Sequence, residues 1–242
     1  MKALLLAAGA GTRLRPLTDG RPKAMVEIAG EPAVAYALRW LASQGATEVA
    51  INLNHHPEML MDFVGDGARF GVRVTYSHEP TALGTAGALR PLRTFFEREP
   101  VFLVLYGDVL TDLSVQPMLR AHLAARADVT IALHHPDDPT SSGLIDFDQT
   151  GRITRFVEKP QPSEVFSDWA NGGICLCGPA VLEYLGGGTP LDFGTHVFPA
   201  MLREGRRLYA HASDATFIDF GTPERLERAG AWAGGARTRA AT

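Results

Sequence analysis

Five short apolar runs, separated by helical patterns, are the feature that most limits what this chain can fold into. Ala3–Ala8 is wholly apolar and stops at Gly9, as a strand buried on both faces does. Pro32 opens a predicted helix, with Val34, Leu38 and Leu41 on one stripe and Gly45 just past its end. Val49–Leu53 reads as a strand, Pro57–Val64 as a short helix and Val72–Ser77 as a strand. Thr85 is placed to cap a helix running toward Phe96, which Pro91 should distort. Val101–Tyr106 is a buried strand ending at Gly107-Asp108. Ser114 is a cap for a helix through about Arg126, and Asp128–Leu133 is the fifth strand. This alternation predicts an α/β fold, a parallel sheet with helices on both faces. Such sheets bind ligands at the carboxyl ends of their strands, so the Gly9–Arg13 loop and Asp108 fall on one rim.

The second half has a different rhythm. Leu144–Phe147 and Ile153–Val157, joined by a turn near Gln149-Thr150-Gly151, predict a hairpin. Gly172–Leu176 is a further strand, followed by helical stretches near Pro179–Leu185 and Thr195–Arg203. Strands near Leu208–His211 and Thr216–Asp219 come next. Thr222-Pro223-Glu224 then starts a helix with a cap, a proline at the first position and an acid in the first turn. The expected organisation is a single domain over 1–233. Its halves are 1–135 and 136–220, the second β-rich and smaller; a frayed tail covers 234–242.

Composition narrows the function. Lys and Arg number 23 against 27 Asp and Glu, a formal charge of −4 over 242 residues. That balance argues against nucleic acid and against an anionic membrane as partners, yet leaves room for a local basic pocket. No apolar run approaches the ~20 residues needed to span a bilayer. The segment MKALLLAAGAG is too short in its apolar part for a leader and continues at once into TRLRPLT. Cys175 and Cys177 are the only cysteines, so neither a disulfide framework nor a zinc quartet is expected. A reducing cytoplasm fits that usage.

The sharpest string is Gly9-Ala10-Gly11-Thr12-Arg13-Leu14-Arg15-Pro16-Leu17-Thr18, followed by Arg21-Pro22-Lys23. A glycine-rich turn after a buried strand lets backbone N–H groups approach a phosphate chain. Arg13 and Lys23 would add charge-assisted contacts to phosphate oxygens. A dinucleotide-binding fingerprint wants a third glycine where Leu14 stands, which counts against a nicotinamide-dependent oxidoreductase. A Walker loop wants Gly-Lys-Ser/Thr, which the chain lacks. Asp108 and Asp219 each end an apolar strand. An acid there suits Mg²⁺, which takes a few carboxylates plus phosphate oxygens, although Asp after a strand is commonly just a turn former.

LAAGAGTRLRPLT with RPK resembles the signature of the sugar-1-phosphate nucleotidylyltransferases, the nucleotide-sugar pyrophosphorylases. Further matches follow in order: EPTALGTAGA from Glu79, YGDVLTD from Tyr106, FVEKP from Phe156, NGGI from Asn171 and IDFGTPE from Ile218. The resemblance implies the nucleotide-diphospho-sugar transferase fold, a Rossmann-like mixed, mainly parallel sheet flanked by helices with a smaller sugar-binding β-rich part, so that 1–135 mainly binds the nucleotide and 136–220 mainly the sugar phosphate. It implies that Leu6, Ala7, Ala8, Gly9, Gly11 and Thr12 line the nucleotide, with Gly84 and Thr85 near the base. Arg13, Lys23 and Asp108 become the catalytic set, and Asp108 and Asp219 the holders of Mg²⁺. Glu158, Asn171 and Gly143 become sugar ligands, and Lys159 binds the sugar phosphate.

The implied reaction joins an NTP to a sugar 1-phosphate, giving NDP-sugar and pyrophosphate. The Leu83–Gly87 string (LGTAG) most resembles mannose-1-phosphate and heptose-1-phosphate guanylyltransferases, pointing to GTP. Uridylyl, thymidylyl or adenylyl transfer to another sugar or cyclitol 1-phosphate, and a non-catalytic nucleotide-sugar sensor on the same fold, are the alternatives. Relatives often carry Pro where Ala24, Glu27 and Ala82 stand, and Ala where Gly172 stands; Ala82 and Gly172 fall near the expected base and sugar pockets, which weakens any carry-over of substrate identity. Many relatives also carry a left-handed β-helix, for which this sequence has no counterpart, so no acetyltransferase activity is expected. The resemblance admits a homodimer.

Overall fold

The structure is a computed structural model that describes residues 1–240, with side chains described through residue 235. Packing divides the chain into two units. One takes Ala3–Thr81, Leu105–Asp112 and the chain from Thr216 onward; the other takes Met1–Lys2, Ala82–Val104 and Leu113–Ala215. Neither is one continuous segment, in contrast to halves divided near residue 135.

The first unit holds β1 (Lys2–Leu6), β2 (Glu27–Ile28), β3 (Glu31–Pro32), α1 (Ala33–Ser43), β4 (Glu48–Leu53), α2 (Pro57–Val64) and β5 (Arg73–His78). β1, β4 and β5 lie side by side, and β4 runs parallel to β5 from Glu48 opposite Arg73 to Leu53 opposite His78. Helix α1 buries Val34, Leu38 and Leu41 as the stripe predicts, and adds Ala33, Ala35 and Ala37. The expected boundaries of β1, α1, β4 and α2 hold to within two residues. Two later segments complete this unit: β7 (Val109–Thr111) and β13 (Phe217–Asp219), followed by α6 (Pro223–Ala240). A core of Ile28, Ala33, Leu110, Ile218, Phe220, Ala229 and Ala233 joins α1 and α6 to these strands. Helix α6 takes in 234–240, where the sequence suggests fraying, and 241–242 lie outside the described residues.

The second unit holds α3 (Arg93–Phe96), β6 (Phe102–Tyr106), α4 (Val115–Ala125), β8 (Val129–His134), β9 (Gly143–Phe147), β10 (Ile153–Glu158), β11 (Ala170–Cys177), α5 (Phe198–Arg203) and β12 (Leu208–Ala212). Lys2, the first residue of β1, also falls here, and only the first three residues of β6 do, because the divisions fall after Lys2 and after Val104. The predicted hairpin is β9 with β10, antiparallel, Glu158 opposite Gly143. β11 is antiparallel to β8, and β12 is parallel to β8. Cys175 and Cys177 are fully buried in β11 as free thiols, and burial pushes both thiols up, so they act as small apolar side chains.

Three local expectations need correction. Thr85 caps no helix: its N–H and hydroxyl both donate to Asp192 Oδ1, at 2.9 and 3.1 Å. The stretch toward Phe96 breaks into a 3₁₀ turn at Gly87–Leu89 and the short α3, with Pro91 between them. Ser114 stands at the start of α4, but its side chain makes no capping bond. The stretches near 179 and 195 are tighter or looser than α-helix: Pro179–Tyr184 is 3₁₀ and Phe193–Val197 is a π turn leading into α5. Among the described residues, no helix is long and apolar enough to cross a membrane.

Candidate active site

In the first unit, β1 delivers the glycine-rich loop. Past Leu6 the chain leaves the sheet, and its backbone is held from behind. The Ala7 N–H donates to Asn52 Oδ1 at 2.7 Å, and Asn52 Nδ2 donates to Glu79 Oε1 at 2.9 Å. Asn52 and Glu79 are both buried. The Leu6 carbonyl accepts from Gly107 N at 2.9 Å. Ala7 is buried, Leu6 and Ala8 are half-buried, and Gly9 faces open space. Gly11 has φ +61°, and a methyl group on it would stand 2.9 Å from Thr18 Cγ2 and 3.1 Å from Lys23 Cβ. Both conformation and room therefore require glycine there. Thr18 closes the loop by donating to the Gly11 carbonyl at 2.8 Å. Leu14 is wholly buried and anchors the 3₁₀ turn Thr12–Leu14, on which Thr12 and Arg13 are exposed.

The charged residues are gathered by the pairing of β7 with β13. Asp219 stands opposite Val109, and Phe220 N donates to the Asp108 carbonyl at 3.0 Å, so two acids far apart in sequence become neighbours. Lys23 Nζ donates to Asp108 Oδ2 at 2.6 Å and lies 4.0 Å from Asp219 Oδ1. Its ammonium also sits 5.4 Å from the centre of the Phe220 ring. Gly221 leaves the space in which the cluster meets. A methyl group on it would stand 2.8 Å from Asp219 Oδ1, 3.0 Å from Arg13 Nη2 and 3.3 Å from Lys23 Nζ. Gly221 N donates to Asp219 Oδ1 at 2.6 Å, and Arg225 Nη1 bridges Asp219 Oδ2 at 2.9 Å. Arg13, Lys23, Asp108 and Asp219 are thus brought together as the sequence suggests. Gly221, Arg225, Asn52 and Glu79 are not among the expected site residues, although Glu79 and Gly221 lie within the strings EPTALGTAGA and IDFGTPE and Asn52 is a polar residue inside the apolar run Val49–Leu53.

Among the described residues, no group of three or more His, Cys, Asp or Glu is placed to hold a metal ion alone. The donor set is two carboxylates with a lysine ammonium already between them, which shows that the position suits a cation. Two acids fit a hard ion that completes its shell with phosphate oxygens and water, not a closed protein cage. His56 pairs with Glu58, and His135 stacks on Trp169 and contacts the Asp168 carbonyl. Neither belongs to a metal cluster.

The second unit carries the other expected residues in two groups. Gly84, at φ +87°, presses its Cα face onto residue 191: a methyl group would lie 2.5 Å from the Leu191 carbonyl oxygen. Thr85 is locked beside it by Asp192, as above. The other group lies at the ends of β9, β10 and β11. Glu158 is half-buried opposite Gly143, and Lys159 follows, exposed, with φ +47°. A lysine in that left-handed conformation is strained, as residues at ligand sites often are. Its N–H is tied to the Ser142 carbonyl at 3.1 Å. Asn171 Oδ1 accepts from Gly173 N at 2.9 Å, at an irregularity in the β11/β8 pairing.

Burial lifts the Glu158 carboxyl above its ordinary value; the Lys159 ammonium opposes this and the Asp192 carboxylate adds to it. A raised carboxyl pKa means that the folded chain holds this proton to higher pH than the unfolded one does. The ionised form therefore costs stability, and the cost vanishes below the ordinary carboxylate value, where both states are protonated. Glu158→Gln should raise the melting temperature at neutral pH and match the parent in acid. Melting curves across pH check this; an equal or lower melting temperature at neutral pH contradicts it.

A family model described as nucleotidyl transferase matches residues 2–232. A UTP–glucose-1-phosphate uridylyltransferase of Synechocystis is 35% identical over 233 residues, covering 91% of this chain and 60% of its own. The mannose-1-phosphate guanyltransferase beta-A of Xenopus laevis is 36% identical over 228 residues, covering 93% of this chain and 62% of its own. The chain therefore spans about three fifths of the length of these relatives. A crystal structure from Bacillus anthracis, described as a glucose-1-phosphate thymidylyltransferase and solved with sucrose, superposes with a TM-score of 0.87. It is 27% identical, with 96% of this chain and 95% of that one covered. The fold is the one these proteins share, a mixed, mainly parallel sheet flanked by helices.

Proposed function

The chain belongs to the nucleotidyl transferase family, and from that footing we propose that it moves a nucleotidyl group from an NTP to a sugar 1-phosphate. The observation that carries this reading is the convergence of Arg13 and Lys23 with Asp108 and Asp219 at the exit of a glycine-rich loop. In the proposed step a phosphate oxygen of the sugar 1-phosphate attacks the α-phosphorus of the NTP. A new P–O bond forms, the bond from Pα to the bridging oxygen of Pβ breaks, and pyrophosphate leaves with the electron pair. The attacking phosphate is already ionised at neutral pH, so no base need remove a proton.

The barrier lies in charge repulsion and alignment. Arg13 offers a planar fork to the phosphates between which the bond breaks, and Lys23 a point charge at the α-phosphate. The backbone of Gly9, Gly11 and Thr12 offers N–H groups to the triphosphate, with Leu6, Ala7 and Ala8 beside the nucleoside. The family is generally dependent on a divalent cation, and Mg²⁺ held by Asp108 and Asp219 would neutralise charge on the NTP oxygens. Gly84 and Thr85 take the base. Glu158, Asn171 and Gly143 take the sugar, and Lys159 takes its phosphate. Lys159→Ala should raise the KM for sugar phosphate about 10- to 100-fold, the worth of one charge-assisted hydrogen bond. It should leave the KM for NTP unchanged. An increase confined to NTP assigns Lys159 to the other substrate.

The proposed donor is GTP, and the proposed acceptor a mannose- or heptose-like 1-phosphate. The string Leu83–Gly87 and the guanyltransferase from Xenopus support this choice. The Synechocystis relative supports a second reading, UTP with glucose 1-phosphate. A pyrophosphate-release grid decides between them, crossing GTP, UTP, dTTP, ATP and CTP with sugar 1-phosphates, with Mg²⁺ and with EDTA. Mg²⁺-dependent release in the GTP row is expected. Release in the UTP row alone reassigns the base, and release in no row contradicts the proposed activity.

A further inference from the structure

Glu158 occupies its position because two glycines leave room for it. A methyl group on Gly143 would stand 2.6 Å from Glu158 Oε2 and 2.7 Å from Phe156 Cζ. One on Gly194, in the π turn Phe193–Val197, would collide with the same Oε2 and stand 3.0 Å from Glu158 Cδ. The two positions differ in what a side chain would displace. At Gly143 the obstacle includes Phe156, a buried ring packed against Phe198 with centroids 5.5 Å apart. At Gly194 the nearest obstacle is the end of a flexible carboxylate, and Phe156 Cε1, at 3.3 Å, need yield only slightly. Gly194 is not among the residues with positive φ, so alanine fits its backbone.

The backbone before Gly194 is pinned and cannot retreat. Leu191 N donates to the Leu83 carbonyl at 2.8 Å, and Ala86 N and Gly87 N both donate to the Leu191 carbonyl at 2.9 Å. Asp192 Oδ1 accepts from Thr85 N and Oγ1, and Phe193 N donates to Thr85 Oγ1 at 2.9 Å. Asp192 N donates to His196 Nδ1 at 3.0 Å. A methyl group at 194 must therefore move the carboxylate, not the chain.

The geometry points to Gly194 as a positioning residue that sets where the Glu158 carboxylate stands, and so which sugar the site accepts. This rests on the reading of Glu158 as a sugar ligand. Nothing in the sequence singles out Gly194, because its effect depends on a strand end far away along the chain.

The test is a double-mutant cycle of Gly194→Ala and Glu158→Ala in the whole chain. Gly194→Ala alone should raise the KM for sugar 1-phosphate about tenfold, leave the KM for NTP within about twofold and keep the melting temperature near that of the parent. In the Glu158→Ala background the same substitution should change neither KM, because no carboxylate remains to displace. An unchanged sugar KM in Gly194→Ala, or an equal rise in both backgrounds, overturns the inference. If Gly194→Ala alone fails to fold, the double variant decides. Recovery of the fold in the absence of the carboxylate supports the clash at Glu158, and failure in both backgrounds overturns it. A parent protein without sugar-dependent pyrophosphate release defeats the functional reading instead. The positioning claim is then read from a crystal structure of Gly194→Ala beside the parent: a displaced Glu158 carboxylate supports it, and a carboxylate in its parent place overturns it.

Discussion

Asp108→Asn is expected to lower kcat by about a thousandfold at saturating Mg²⁺, since metal stabilisation of phosphate charge is worth several kcal/mol. The fold should survive. Asn keeps the shape, and its Oδ1 can still accept from Lys23, whose ammonium lies 2.6 Å from Asp108 Oδ2. The apparent affinity for Mg²⁺ should fall in parallel, because one of two carboxylates is gone. Steady-state pyrophosphate release against Mg²⁺ concentration, beside a thermal melt, checks both parts. A variant with full activity and undiminished dependence on Mg²⁺ would remove Asp108 from the metal site.

Arg13→Ala should cost about 100- to 1000-fold in kcat, the usual loss when one donor to a developing charge is removed. Arg13 is exposed, and its Nη2 is placed beside the Asp219 and Lys23 head groups, so its loss should barely change stability. Arg13→Lys should recover little. A lysine restores charge but not the planar two-pronged geometry that spans neighbouring phosphate oxygens. Full activity in Arg13→Lys would show that charge alone matters there. Full activity in Arg13→Ala would remove Arg13 from the chemistry.

What could be read from the sequence was whatever short-range pattern specifies. β1, α1, β4 and α2 are set by apolar periodicity and by glycine or proline at their ends, and the structure places them there. The charged residues were legible one at a time through their motifs. Their meeting was implied by the strand-end rim for the Gly9–Arg13 loop and Asp108 and by the family resemblance for the others; what brings it about, the pairing of three-residue β7 with β13, has no local signal. Thr85 shows the same limit from the other side. Local chemistry makes it a helix cap, yet Asp192 offers its N–H and hydroxyl a shared acceptor, and that distant bond wins. The supports of the site escaped for the same reason. The Asn52–Glu79 pair behind Ala7, Arg225 on Asp219 and the vacant Cβ positions of Gly221 and Gly194 are defined by partners, not by neighbours in sequence.

The most direct test of nucleotidyl transfer is a ³¹P NMR time course of the parent protein with GTP, mannose 1-phosphate and Mg²⁺, repeated with UTP and glucose 1-phosphate. The account predicts loss of the sugar-phosphate signal matched one for one by pyrophosphate and by a paired diphosphate signal, abolished by EDTA. Pyrophosphate without consumption of sugar phosphate, or inorganic phosphate with a nucleoside diphosphate, would contradict it, since either would show that the bond breaks without transfer to the sugar.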